Sequence, residues 1–168
     1  MAMLLQFYAW GWGLPAIPVL LAVPFMVAAF LIDWEHMILP DELNVVMTLL
    51  GALFVACRVY TGQADMLDPV FGAFLLTALF RVVSVCLSKW KGRAALGLGD
   101  IKFLPAAGLF IGVSSIPSYL AVSGALGIAT AAIMGGINKK QAFPFGPALI
   151  VSLYLHVFLT GLGFDYTW

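Results

Sequence analysis

Between Leu14 and Ile32 the chain carries no charged residue, and runs of the same kind recur to its far end. A spanning helix needs about 20 mostly apolar residues to cross roughly 30 Å of hydrocarbon, where every backbone N–H and C=O must bond within the segment. Repeated runs of that length restrict the chain to a helical membrane bundle. Composition agrees: of 168 residues, 63% are apolar and 10% are charged. A soluble domain has about half and about a quarter, and a fold this small cannot hide so much apolar surface in one core. A soluble globular enzyme is excluded, as is disorder. Eight Lys/Arg balance eight Asp/Glu, so a basic binding surface is excluded too, and no nucleic-acid partner is expected.

The expected fold is all-α: a polytopic membrane bundle of about six transmembrane helices, a single domain over residues 1–168. The spans read as Leu14–Ile32, Leu43–Tyr60, Pro69–Ser88, a short one from after Asp100 to about Val113, Ile116–Gly135 and Phe145–Leu162. Residues 1–13 hold no Lys or Arg, so the basic start of a signal peptide is missing. Phe7, Tyr8, Trp10 and Trp12 crowd this segment instead, which reads as an interfacial entry. Cys57 and Cys86 lie inside spans, form no CxxC, and read as small buried residues.

Positive charge sets orientation. Lys89, Lys91, Arg93 and Lys102 mark one basic loop, and Lys139 and Lys140 another, whereas loop 61–68 has Asp65 and Asp68 alone. Basic loops on the cytoplasmic side put both termini outside an inner membrane. Loop 33–42 is then also cytoplasmic, yet it holds Asp33, Glu35, His36, Asp41 and Glu42 and no Lys or Arg. An acidic cluster thus stands on the side where basic loops belong.

Ionisable groups at membrane depth cost roughly 2.5–3.5 kcal/mol each on insertion scales. Arg58, Arg81 and His156 lie in spans, and Asp33 and Asp100 at span ends. Asp33 and Asp100 share an address, each at the cytoplasmic end of a helix beside apolar sequence, and their two helices can pack side by side. Two carboxylates in a low-dielectric rim cannot both ionise easily, so the pair shares a proton. In that state the ionised member can take a proton from water while the other polarises a carbonyl. Gly97 and Gly99 precede Asp100 closely and leave clearance for an extended peptide. The plain alternative is a loop-to-helix junction with Asp100 as N-cap. Asp33 could likewise mark only a membrane boundary, although a negative charge is disfavoured at a helix C-terminus. Asp41 and Glu42 after Pro40 fit the first turn of the second span.

Three segments carry a family resemblance. Ile32-Asp33-Trp34-Glu35-His36-Met37-Ile38-Leu39-Pro40-Asp41-Glu42-Leu43 resembles the first-aspartate segment of bacterial type IV prepilin peptidases. Gly97-Leu98-Gly99-Asp100-Ile101-Lys102-Phe103-Leu104 resembles their second-aspartate motif, including the Lys two residues on. Phe143-Pro144-Phe145-Gly146-Pro147-Ala148-Leu149 is similar to the block before their last helix. The resemblance covers about residues 14–160. It implies a GxGD-type membrane aspartyl protease that removes the short basic leader from prepilins or pseudopilins at the cytoplasmic face. Asp33 and Asp100 would be its catalytic pair, and no cofactor is implied. Pro144, Gly146 and Pro147 would shape the substrate groove, though they also suit a plain helix start. Bifunctional members carry an N-terminal loop region and methylate the new N-terminus; that region is not seen in this sequence, which weighs against methyl transfer. The partners implied are the leader segment, membrane lipids and a pilus or secretion assembly machinery. Lys89, Lys91 and Arg93 suit the anionic inner leaflet, so drawing in a basic leader falls to Glu35, Asp41 and Glu42.

Other readings are weaker. Ala121-Val122-Ser123-Gly124 lacks the first glycine of a serine intramembrane protease, so Ser123 and Gly124 read as packing residues and His156 as a buried, hydrogen-bonded histidine. Glu35-His36 does not make His-Glu-x-x-His, so no metal site is expected. A transporter or proton channel would use Asp33, Asp100 and Arg81 as relay groups, and a membrane scaffold would need none of them.

Overall fold

The computed structural model describes residues 1–11, 13–91, 97–135 and 145–163. Its elements are helices: α1 (Ala2–Trp10), α2 (Ala16–His36), α3 (Asp41–Tyr60), α4 (Leu67–Lys91), α5 (Leu98–Ile111), α6 (Ile116–Gly135) and α7 (Gly146–Gly161). Among the described residues no strand occurs. Helices α2, α3, α4 and α6 are long and apolar enough to cross a membrane. The protein is a polytopic helical membrane protein.

The fourth and sixth expected spans differ from the other four. With 14 and 16 residues, α5 and α7 reach about 21 and 24 Å at 1.5 Å per residue, short of the hydrocarbon thickness. Burial accounts for α5. Phe103, Leu104, Ala106, Ala107 and Phe110 are all sequestered as the helix packs on α3, α4 and α7, so its length is not set by lipid. Gly112, with φ at 70°, closes it by donating its N–H to the Gly108 carbonyl at 2.9 Å.

Backbones of α4 and α5 nearly touch where small residues face each other. A Cβ on Gly72 would stand 2.8 Å from the Gly112 carbonyl carbon, and one on Gly108 would fall on the Ala73 backbone. Lipid tails supply no hydrophobic drive between helices, so such close van der Waals packing holds them together. Trp10, Phe54 and Phe110 then meet in sequence across α1, α3 and α5, with ring centroids 5.2 Å apart at each step, edge to face at the first and tilted at the second.

The segment expected to lie at the interface forms α1, which packs on α2 and α7. Gln6 Nε2 donates to the Tyr154 carbonyl at 3.1 Å and Trp10 Nε1 to that of Val157 at 3.0 Å. Trp12 lies outside the described residues. Helix α6 packs on α7 through a buried polar seam. Tyr119 donates its hydroxyl to the Leu149 carbonyl, and Ser152 donates to the Tyr119 carbonyl, both at 3.2 Å. His156 belongs to that seam, as expected. Its Nδ1 lies 2.8 Å from the Ser152 carbonyl and its Nε2 3.0 Å from Ser118 Oγ. Facing a carbonyl, Nδ1 must carry the proton.

Two smaller expectations fail. Cys57 is half-buried and Cys86 exposed, because the outer face of a spanning helix is covered by lipid rather than by protein. Ser123 is buried, but a Cβ on half-buried Gly124 would meet open space among the described residues.

Candidate active site

Asp33 lies inside α2, not at its edge. The helix continues to His36 and ends where Met37 turns left-handed (φ 55°), its N–H donating to the Asp33 carbonyl at 2.9 Å. The Asp33 side chain is only 3% exposed, while Glu35 and His36 beside it are exposed. A buried carboxyl in an apolar helix is costly unless something uses it.

Asp100 is 8% exposed in the first turn of α5. It is not the N-cap. Gly97 occupies that position in extended conformation (φ −61°, ψ 136°), and the Asp100 carboxyl folds back onto the Gly97 backbone N–H. This is half of a capping box, with the acid at the third helical position serving an otherwise orphaned amide. The short reach suits glycine: a Cβ on Gly97 would stand 3.1 Å from Asp100 Oδ2.

Helix α7 supplies the third wall. Gly146 is its first residue, and the Gly146 N–H faces the Asp33 carboxyl. A Cβ there would land on Asp33 Oδ2 and Leu39, 2.8 Å from Asp33 Cγ. That same Oδ2 is buried with no hydrogen-bond partner among the described residues. Pro147 is buried in the first turn of α7, where its missing N–H costs nothing. Pro144 lies outside the described residues.

The two acids are brought within electrostatic reach of each other, Asp33 acting on Asp100. Their helices are not laid side by side as the sequence reading supposed. Instead α3 and α7 each pack on both α2 and α5 and bridge them. Leu39, in the α2–α3 connection, is the shared floor. It is 4% exposed, it would be struck by a Cβ on Gly146, and its own Cβ would be 3.1 Å from one on Gly99.

The acidic loop divides. Glu35 and Glu42 stand exposed. Asp41 is held by Lys102, whose Nζ donates to its two carboxylate oxygens at 2.8 and 2.7 Å. Among the described residues no group of three or more His, Cys, Asp or Glu could hold a metal ion. Arg81 is exposed on α4, and Arg58 lies with its guanidinium carbon 5.7 Å from the centre of the Phe54 ring, so neither joins the carboxyl pair. Lys139, Lys140 and Arg93 lie outside the described residues.

Three contributors escaped the sequence reading: Leu39, Lys102 as partner of Asp41, and Asn44. Asn44 is 4% exposed in α3, and its Nδ2 lies 3.5 Å from the Gly99 carbonyl. A lone amide in an apolar span was the available signal.

Fold and site together define a polytopic helical membrane protein with two buried carboxyls, one within α2 and one in the first turn of α5. A family model described as the type IV leader peptidase family matches residues 20–135, and the chain belongs to that family. It is similar to the prepilin leader peptidase/N-methyltransferase of Neisseria gonorrhoeae, 29% identical over 86% of this chain and 49% of the relative. The protein of the same name from Aeromonas hydrophila is 30% identical over 84% and 48%. That from Dickeya chrysanthemi is 29% identical over 97% and 58%. The chain thus spans about half the length of the curated relatives it matches. No solved structure matches it.

Proposed function

We propose that this protein is a membrane aspartyl endopeptidase that removes the short basic leader from type IV prepilins or pseudopilins at the cytoplasmic face of the inner membrane. What supports this reading is that Asp33 and Asp100 are both buried and lie within electrostatic reach of each other, in a chain whose family is named for leader cleavage. Both basic loops, with Lys89 and Lys140 among them, favour placing this rim inside and both termini outside.

Chemistry follows from sharing one proton. The ionised carboxyl takes a proton from water as the water oxygen bonds to the scissile carbonyl carbon. The protonated carboxyl donates to the carbonyl oxygen and stabilises the tetrahedral intermediate. The intermediate then collapses, the C–N bond breaks, and the leaving nitrogen receives the proton taken from water. The Gly97 and Gly146 amides face the two carboxyls, and the missing side chains at both positions let carboxyl and backbone come that close. Cleavage of a co-reconstituted prepilin by wild type and by the two Asp→Asn variants tests the reading. Full-rate cleavage by either variant would refute it.

Because the pair titrates as a unit, kcat is expected to follow a bell in pH whose limbs belong to the dyad. A rate unchanged between about pH 4 and 8 would refute a shared-proton mechanism. Exposed Glu35 and Glu42 are the acids available to a basic leader, whereas Asp41 is occupied by Lys102. Glu35→Gln and Glu42→Gln are each expected to raise KM roughly 1.5- to 5-fold with kcat unchanged, since exposed charge pairs are worth about 0.2–1 kcal/mol. Steady-state kinetics at low and high salt checks this, and the effect should fade as salt screens it.

A further inference from the structure

We propose that Asn44 is a positioning residue for Asp100: through the Gly99 carbonyl it ties the turn before Asp100 to the helix that follows Asp33. The inference rests on the two-aspartate reading and adds a residue to it.

The connection from α2 to α3 is short. It leaves α2 at Met37, runs through Leu39 and Pro40, and enters α3 at Asp41. Three of its neighbouring side chains then touch α5 within two residues of Asp100. Leu39 packs on Gly99 so closely that a Cβ there would stand 3.1 Å from its own. Asp41 takes the Lys102 ammonium. Asn44 offers its amide to the Gly99 carbonyl at 3.5 Å. That contact is long, as catalytic-site hydrogen bonds often are before substrate tightens them.

Of the three, Asn44 is the one whose chemistry has no bland explanation. An apolar residue would pack in α3 at less cost, and the Asn44 side chain is almost wholly buried with Oδ1 lacking a hydrogen-bond partner among the described residues. The helix does not need it either, since Asn is a mediocre helix former. What the amide provides at this place is a donor to the Gly99 carbonyl, an oxygen that can only accept. The Gly99 carbonyl belongs to the peptide unit whose nitrogen is that of Asp100. Holding that oxygen sets the plane of the peptide and with it the direction in which Asp100 leaves the backbone.

The test uses the full chain in vesicles with a leader-bearing prepilin, and reads kcat and KM against pH for Asn44→Ala, Asn44→Asp, Asp33→Asn and Asp100→Asn. Membrane insertion and thermal melting are followed alongside. A misaimed catalytic group costs about 100-fold in rate, so Asn44→Ala is expected to lose that much kcat while KM stays within about twofold. Asn44→Asp is the diagnostic variant. Ionised, the introduced carboxyl has no donor and repels the Gly99 oxygen; protonated, it has a hydroxyl to give. Its kcat relative to wild type should therefore climb as pH falls, whereas the Asn44→Ala deficit should not follow pH. Wild-type kcat in Asn44→Ala overturns the proposal. So do equal losses in both Asn44 variants at every pH, or a kcat loss that appears only where melting shows the protein unfolded. Retained cleavage in Asp33→Asn or Asp100→Asn overturns the two-aspartate reading and this one with it, while their loss with Asn44→Ala unaffected removes only the positioning role.

Discussion

Asp33→Asn and Asp100→Asn are each expected to abolish prepilin cleavage while the protein still inserts and melts as wild type does. Each substitution keeps shape and volume and removes the ability to ionise. General acid–base groups contribute about 10²–10⁴-fold each. Here the loss should lie at or beyond the top of that range, because the two carboxyls act as one unit and removing either disables both roles. The double variant should therefore be scarcely slower than either single one. Stability should not fall, and it has reason to rise. Both carboxyls are buried, with Asp33 Oδ2 lacking a hydrogen-bond partner among the described residues, and a neutral amide is cheaper to bury than a carboxylate. A catalytic loss coupled to unchanged or higher melting temperature separates a functional acid from a structural one. Additive losses in the double variant would instead mean that the acids work separately.

How far the sequence foretold this site depends on which property is asked for. Long apolar runs place α2, α3, α4 and α6 directly, even where Arg58 and Arg81 interrupt them, because length and apolarity are the conditions that the bilayer imposes. The depth of Asp33 and Asp100 is legible for the same reason: a charge among apolar neighbours is visible in one dimension. The relation between their helices is not. That α3 and α7 bridge α2 and α5 follows from packing between segments far apart in sequence, and no periodicity records it. The segment after Asp100 is legible as short, but not the reason: its end is set by a left-handed glycine at Gly112 and its length by burial against other helices. Sequence places Asp41 among the first-turn acids of the second span, but its partner Lys102 lies 61 positions away, and only the fold brings the two charges together. Asp100 was weighed as an N-cap, yet the cap falls on Gly97. The choice between two caps three residues apart is made by backbone dihedrals, which residue types alone left open between a glycine and an acid.

These differences converge on one physical point. Each acid is positioned by a backbone amide more than by other side chains, Asp33 by one from another helix and Asp100 by the cap residue of its own. Asp33 meets the N–H of Gly146, Asp100 meets the N–H of Gly97, and Leu39 fills the space that glycines leave. Backbone amides cannot be removed by substitution, but the close approach that brings them near can be.

Gly146→Ala is therefore expected to cut the cleavage rate about 100-fold through a single added methyl. The new Cβ would fall on Asp33 Oδ2 and on Leu39. Either the carboxyl rotates away or α7 retreats, and both break the contact between the Gly146 N–H and Asp33. A displacement on the order of 1 Å in a catalytic group costs about 100-fold in rate, and overpacking a tight site costs about 1–3 kcal/mol in stability. Rate and melting temperature should thus both fall, which distinguishes this variant from the Asp→Asn pair, where only the rate falls. Gly124→Ala is the matched control. Its Cβ would meet open space on α6, and alanine is favoured over glycine in a helix by about 1 kcal/mol, so its rate should equal that of wild type and its stability should hold or rise. If Gly146→Ala cleaves prepilin at the wild-type rate, the first residue of α7 does not press on Asp33 in the working enzyme, and the site must be assembled from α2 and α5 without the wall that α7 provides.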